Sequence, residues 1–240
     1  MITVRDITVR FGGVTALDGV SAEFHAPITG IIGPNGAGKT TLLNVLSGFV
    51  QPDMGEARLG DEDLLPMAPH IRARHGLRRS FQAEQIAEDL TVENNIRVML
   101  DPLPLTAADR SRALEHAMEF TGLLPHRSVL GAALTNVDRR MTEIARAVAG
   151  NPRVVMLDEP GGGLGEAETE RLRDAISAIP GTFGAQVLLI DHDVDLIRAV
   201  CGETLVLDFG RRLAFGETEA TLNDPAVRAA YLSEAPDDMS

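Results

Sequence analysis

Nine residues, Gly33-Pro34-Asn35-Gly36-Ala37-Gly38-Lys39-Thr40-Thr41, constrain this 240-residue chain more than any other stretch. They follow a short apolar run, Pro27–Ile32, that reads as a buried strand, and they precede Leu42–Gly48, which reads as a helix. The spacing G-x-x-x-x-G-K-T between a strand and a helix makes a cradle for nucleotide phosphates. Glycines let successive backbone N–H groups turn inward on phosphate oxygens, and the helix that starts there adds the positive end of its dipole. Lys39 is a compact cation able to reach the β- and γ-phosphates, and Thr40 offers a hydroxyl to Mg²⁺, a hard ion that prefers oxygen. Of the 22 basic residues only one is lysine, Lys39 itself. The chain uses arginine everywhere else.

The chemistry that such a loop needs recurs downstream. Arg153–Leu157 is an apolar run ending in Asp158 and Glu159. A strand buried on both faces has this look, and its carboxyl end is where ligands bind in a parallel sheet. Asp158 suits the Mg²⁺ shell, and Glu159 suits a general base acting on the attacking water. Val187–Ile190 repeats the pattern and ends in Asp191-His192-Asp193, which places His192 to sense the γ-phosphate and the water. Gln82, in Arg78-Arg79-Ser80-Phe81-Gln82, is an ordinary loop residue by itself, and Phe11 after the first strand is either core or a face for adenine.

Charge and composition remove other classes. A net charge of −13 argues against nucleic acid as a partner, because phosphate-backbone binding needs a basic footprint. The local exception, Arg72, Arg74, Arg78 and Arg79, reads as a solvated face or a protein-docking patch. No apolar stretch approaches the roughly 18–20 residues that span a bilayer. The start, MITVRDITVRF, alternates like a strand and carries charge, unlike a signal peptide. The single Cys201 reads as a small buried hydrophobe in a reducing compartment.

Phe11, GPNGAGKTT, SFQ, EIARAVAGNPRVVMLDEP and DHD stand in one order over nearly the whole chain. That order resembles the nucleotide-binding subunits of ABC transporters. GLRRSFQ, LTVENNI, DHDVDLI, CGETLVLDFGRRLAFGE and AVRAAYLSE are similar to the branched-chain amino acid importer branch, whose wording the urea and amide importers share. The resemblance implies an α/β fold with a P-loop NTPase core, a β-rich N-terminal subdomain and an inserted helical subdomain. One nucleotide-binding domain over residues 1–240 is expected, with the helical part at about 91–150, a short helical tail from Glu217 and a frayed end over Glu234–Ser240. It also implies that Phe11 stacks on adenine. Gln82 touches Mg²⁺ and couples to the membrane subunit, and Asp158, Glu159 and His192 serve as metal, base and switch positions. ATP and Mg²⁺ are the implied cofactors. The implied partners are transmembrane permease subunits, a second ATPase subunit and, indirectly, a solute-binding protein. The implied place is peripheral, on the cytoplasmic face of the inner membrane.

One part departs from the family pattern. Where the family has L-S-G-G-Q, this chain has Leu134-Thr135-Asn136-Val137-Asp138. In the family that segment reaches the γ-phosphate held by the other subunit of a dimer. Val137 replaces a glycine and should intrude, and Asp138 brings an acid toward a polyanion, a like charge costing about 3 kcal/mol at 5–6 Å and an effective dielectric near 20. Thr135 and Asp138 also fit the start of a helix. Gly161–Gly165 lacks the usual Ser and Asp of the dimer-crossing loop. The expectation is therefore asymmetric: an intact phosphate loop, a weak signature and a heterodimer rather than a homodimer. A weakly hydrolysing regulatory module and a soluble non-transport ABC ATPase stand as alternatives.

Overall fold

A computed structural model describes residues 1–82 and 84–232. The expected fraying of Glu234–Ser240 lies outside the described residues. The chain forms two compact units, Met1–Arg72 with the chain from Leu188, and Ala73–Val187.

In the first unit, the alternating N-terminal run becomes β1 (Ile2–Phe11), paired antiparallel with β2 (Val14–Phe24) from Ile2↔Phe24 to Phe11↔Val14 across a two-glycine turn. Ile2 and Val4, then Ile7 and Val9, are wholly buried, and Arg5 and Asp6 both face out between them, because the period-2 alternation changes phase at a register shift where Asp6 has φ 50. With β4 (Met54–Leu59) and β5 (Glu62–Asp63) they form one sheet in the order β2-β1-β4-β5. The other layer is built on β3 (Ile28–Ile32), buried at every residue. It pairs in parallel with β9 (Glu203–Asp208), which pairs antiparallel with the edge strand β10 (Arg211–Glu217). The phosphate-loop sequence feeds helix α1 (Lys39–Ser47), closed at Gly48 by a left-handed cap.

The arginines at 72, 78 and 79 are not the solvated patch their clustering suggested. Arg72, in α2 (Pro69–Arg74), is 1% exposed. Its guanidinium donates to the carbonyls of Val45 (2.5 Å) and Leu46 (2.9 Å) at the end of α1, and to those of Met67 (2.9 Å) and Leu65 (3.4 Å). A planar fork of five N–H donors satisfies helix-terminal acceptors that no apolar residue can, and its charge sits at the negative end of the helix dipole. Burial lowers its pKa, an effect that Asp63 opposes. Arg78 is 3% exposed, and only Arg74 of the four keeps an exposed position. Arg72→Met should therefore cost about 3–4 kcal/mol, because it leaves two buried and two part-buried carbonyls short of donors. Urea unfolding checks this, and a loss under about 1 kcal/mol would show the capping to be dispensable.

The second unit opens with β6 (Leu77–Arg79), parallel to β7 (Val154–Asp158), again buried at every residue. Helices α3 (Val92–Arg97), α4 (Ala107–Phe120) and α5 (Asn136–Val148) lie between these strands in sequence. Each begins on a threonine whose hydroxyl accepts from the third residue on: Thr91 from Asn94 N, Thr106 from Asp109 N and Thr135 from Asp138 N. Helix α6 (Glu166–Phe183) follows β7. The strand β8 (Gln186–Ile190) leads back into the first unit, next to β3, and α7 (Val194–Val200) follows it.

Candidate functional site

The first unit presents the phosphate loop. Gly33 (φ 144) and Gly38 (φ 101) both need glycine: a Cβ at Gly33 would stand 2.0 Å from the Leu207 carbonyl oxygen, and one at Gly38 would stand 2.5 Å from that of Ala16. The loop is thus clamped between β9 and β2, with Ala37 accepting from Gly210 N at 3.1 Å. Lys39 is 6% exposed, and its Nζ donates to the carbonyls of Gly33 (2.7 Å) and Pro34 (3.0 Å). The loop therefore holds its own cation over its own opening turn. Thr40 and Thr41 follow in the first turn of α1, and Asn35 and Gly36 form the exposed crest. Phe11 closes β1 and is 52% exposed, so its ring has a face to offer. His192 stands just past the end of β8, before α7, whose cap Asp193 accepts from Asp195 N and Leu196 N. Cys201 is buried as expected, and desolvation pushes its thiol up to about 12.

The second unit presents the acids. Asp158 ends β7 with a carboxylate that is 0% exposed, and Glu159 follows in a left-handed conformation, φ 53. A non-glycine residue held there stores strain of about 1–3 kcal/mol, a cost that collects at functional sites. Gln82 Nε2 donates to Glu159 Oε2 at 2.9 Å, so these two predicted residues are brought together. Arg79 donates to Asp158 Oδ2 at 2.8 Å, an ion pair that the sequence reading missed. The strand register could have pointed to it, since Arg79 is opposite Met156, two residues before the acid.

The Leu134–Asp138 segment starts α5, and its chemistry is turned inward. Thr135 Oγ accepts from Asp138 N (3.3 Å) and donates to Asp138 Oδ2 (2.8 Å). Asp138 is 6% exposed, with Arg171 on Oδ1 (3.2 Å) and His126 Nδ1 near Oδ2 (3.3 Å). Asp138 thus has a countercharge within its own unit, Arg171, that the sequence did not announce. Helix α5 also carries the contacts of the neighbouring loops. Arg139 pairs with Glu84 and Glu88, Arg140 donates to the Gly162 carbonyl, and Glu143 accepts from Gln85 N. Burial raises the Glu143 pKa, against the hydrogen bonds from Arg140 and Gln85.

A family model described as ABC transporter matches residues 17–162. The chain belongs to the ABC transporter family. This ABC chain is 35% identical, over 98% of both chains, to the high-affinity branched-chain amino acid transport ATP-binding protein LivG of Escherichia coli (strain K12). It is 34% identical over 98% of both to BraF of Pseudomonas aeruginosa, which carries the same description. Among solved structures, an ATP-binding cassette of an ABC transporter in its ADP conformation superposes with a TM-score of 0.86 at 27% identity, covering 98% of this chain and 99% of that one. The expected fold is thus the observed one, and the chain is an ATPase whose cofactors are ATP and Mg²⁺. The residues named for that metal have the oxygen chemistry it prefers: the Thr40 hydroxyl in the first unit, and the Gln82 amide and the buried Asp158 carboxylate, which already carries Arg79 as countercharge, in the second.

Proposed function

We propose that this ABC ATPase powers import of branched-chain or other small amino acids through separate permease subunits, as the descriptions of LivG and BraF suggest. The observation that carries the reading is near-end-to-end identity with those two proteins. A lipopolysaccharide export ATP-binding protein, LptB of Haemophilus influenzae, is 34% identical over 98% of both chains, so export is the rival reading. Co-purification with amino acid permeases and a solute-binding protein supports import, and capture of lipopolysaccharide export components instead would sink it.

In this reading the backbone amides of Gly33–Thr41 and Lys39 hold the phosphates, and the ring of Phe11 takes the adenine. Thr40, Asp158 and Gln82 would be the residues to hold Mg²⁺, which would supply charge neutralisation to the bound phosphates. Glu159 accepts the proton of the attacking water, positioned through its bond to Gln82, and His192 orients the γ-phosphate end. Among the described residues no helix is long and apolar enough to cross a membrane, in keeping with a peripheral subunit at the cytoplasmic face.

Site completion is asymmetric. The Thr135 hydroxyl, which a trans-acting signature would point at phosphate, is occupied by Asp138, and Val137 adds a β-branched side chain where the family has glycine. A second, different ATPase subunit with an intact signature is the partner that completes this chain's phosphate loop. The purified chain alone should turn over at least about tenfold slower than the same chain mixed with that partner, tenfold being 1.4 kcal/mol. Equal rates in the two assays would overturn the heterodimer. A regulatory module that holds ATP without turning it over would stay slow in both.

A further inference from the structure

Arg79 and Asp158 form a pair that the ATPase reading does not use. Both side chains are nearly or wholly buried, 5% and 0% exposed, and both belong to the second unit. The pair is built by strand register. β6 and β7 run parallel through Arg79↔Met156, Ser80 N donates to the Met156 carbonyl (2.9 Å), and Asp158 N donates to Ser80 Oγ (3.2 Å). The Arg79 guanidinium carbon also lies 4.9 Å from the centre of the Phe81 ring. Arg79 is thus held from two sides, with one of its nitrogens on Asp158 Oδ2. A carboxylate this deep is costly without a countercharge, and Arg79 supplies one.

The ATPase chemistry asks a second cation to use the same carboxylate. We propose that Arg79 is a positioning residue that competes with Mg²⁺ for Asp158. It holds the carboxylate aimed in the metal-free protein, and it weakens the metal by the share of charge it claims. Because Arg79 begins Arg79-Ser80-Phe81-Gln82, the metal's arrival is felt by the segment whose far end bonds Glu159. This rests on the reading that Asp158 takes the metal.

The test is Mg²⁺ titration of the full chain at saturating ADP, followed by thermal unfolding, on wild type, Arg79→Met, Arg79→Lys and Asp158→Asn. Met preserves bulk against Phe81 and removes the charge. Arg79→Met should melt lower without nucleotide, yet reach half-saturation at about tenfold less Mg²⁺ and show a larger metal-dependent rise in Tm. Arg79→Lys should fall between it and wild type. A role confined to packing would lower Tm equally with and without metal. A metal response in Arg79→Met equal to or weaker than wild type, beside a lost response in Asp158→Asn, overturns the role of Arg79 alone. Should Arg79→Met not fold, Arg79→Lys decides by the same comparison: tighter Mg²⁺ supports the proposal, and unchanged or weaker Mg²⁺ overturns it. A full response in Asp158→Asn overturns the metal reading and the proposal with it.

Discussion

Lys39→Ala should reduce Mg·ATP affinity by about a hundredfold or more, and Lys39→Arg should fare little better. The first half follows from charge: truncating one member of a buried, hydrogen-bonded charged contact costs about 2–5 kcal/mol. The second half follows from the shape of the loop. The ammonium sits 2.7 Å from the Gly33 carbonyl and 3.0 Å from that of Pro34, inside a turn in which Gly33 and Gly38 have no room for a Cβ. A planar guanidinium is larger and presents its donors in a fixed fork, so it fits neither the resting position nor a point approach to phosphate. Calorimetric titration with a slowly hydrolysed ATP analogue measures both variants. An arginine variant that binds like wild type would mean that charge, not geometry, governs the loop.

Glu159→Gln should leave binding nearly intact and lower turnover by about 10²–10⁴-fold, the range for losing a positioned general base. The substitution is informative because its other consequences are small. The Gln side chain keeps an oxygen that can accept from Gln82 Nε2, the contact Glu159 makes at 2.9 Å, so the loop has little reason to move. The left-handed backbone at this position is also retained. What disappears is basicity. Single-turnover hydrolysis by the chain assembled with its partner ATPase is the measurement, with ATP binding followed in parallel. Turnover within tenfold of wild type would remove Glu159 from the role of base.

The phosphate loop, both fully buried strands β3 and β7, and the start of α5 at Thr135 were legible because each rests on local chemistry: glycine spacing, unbroken apolar runs, and a threonine three residues before an acid. Three of the four arginines between 72 and 79, all but Arg74, were misread for the opposite reason. Clustered in sequence, they look like one surface, but Arg72 reaches the end of α1 and Arg79 reaches Asp158, partners 27 and 79 positions away. Asp138 shows the same limit. Its effect on a neighbouring phosphate depends on Arg171, 33 positions away, which no period or motif announces. Long-range polar pairing is where the reading of residues alone ran out.

The enclosure of Lys39 by its own loop has a further consequence. Every other cationic side chain outside histidine is a guanidinium, so reagents and enzymes that acylate lysine find one side-chain amine in the whole protein. On most proteins such modification erodes surface charge by degrees. Here it is all or none: the single target lies behind two carbonyl oxygens, and its loss of charge would strike the nucleotide site while leaving the rest of the surface untouched.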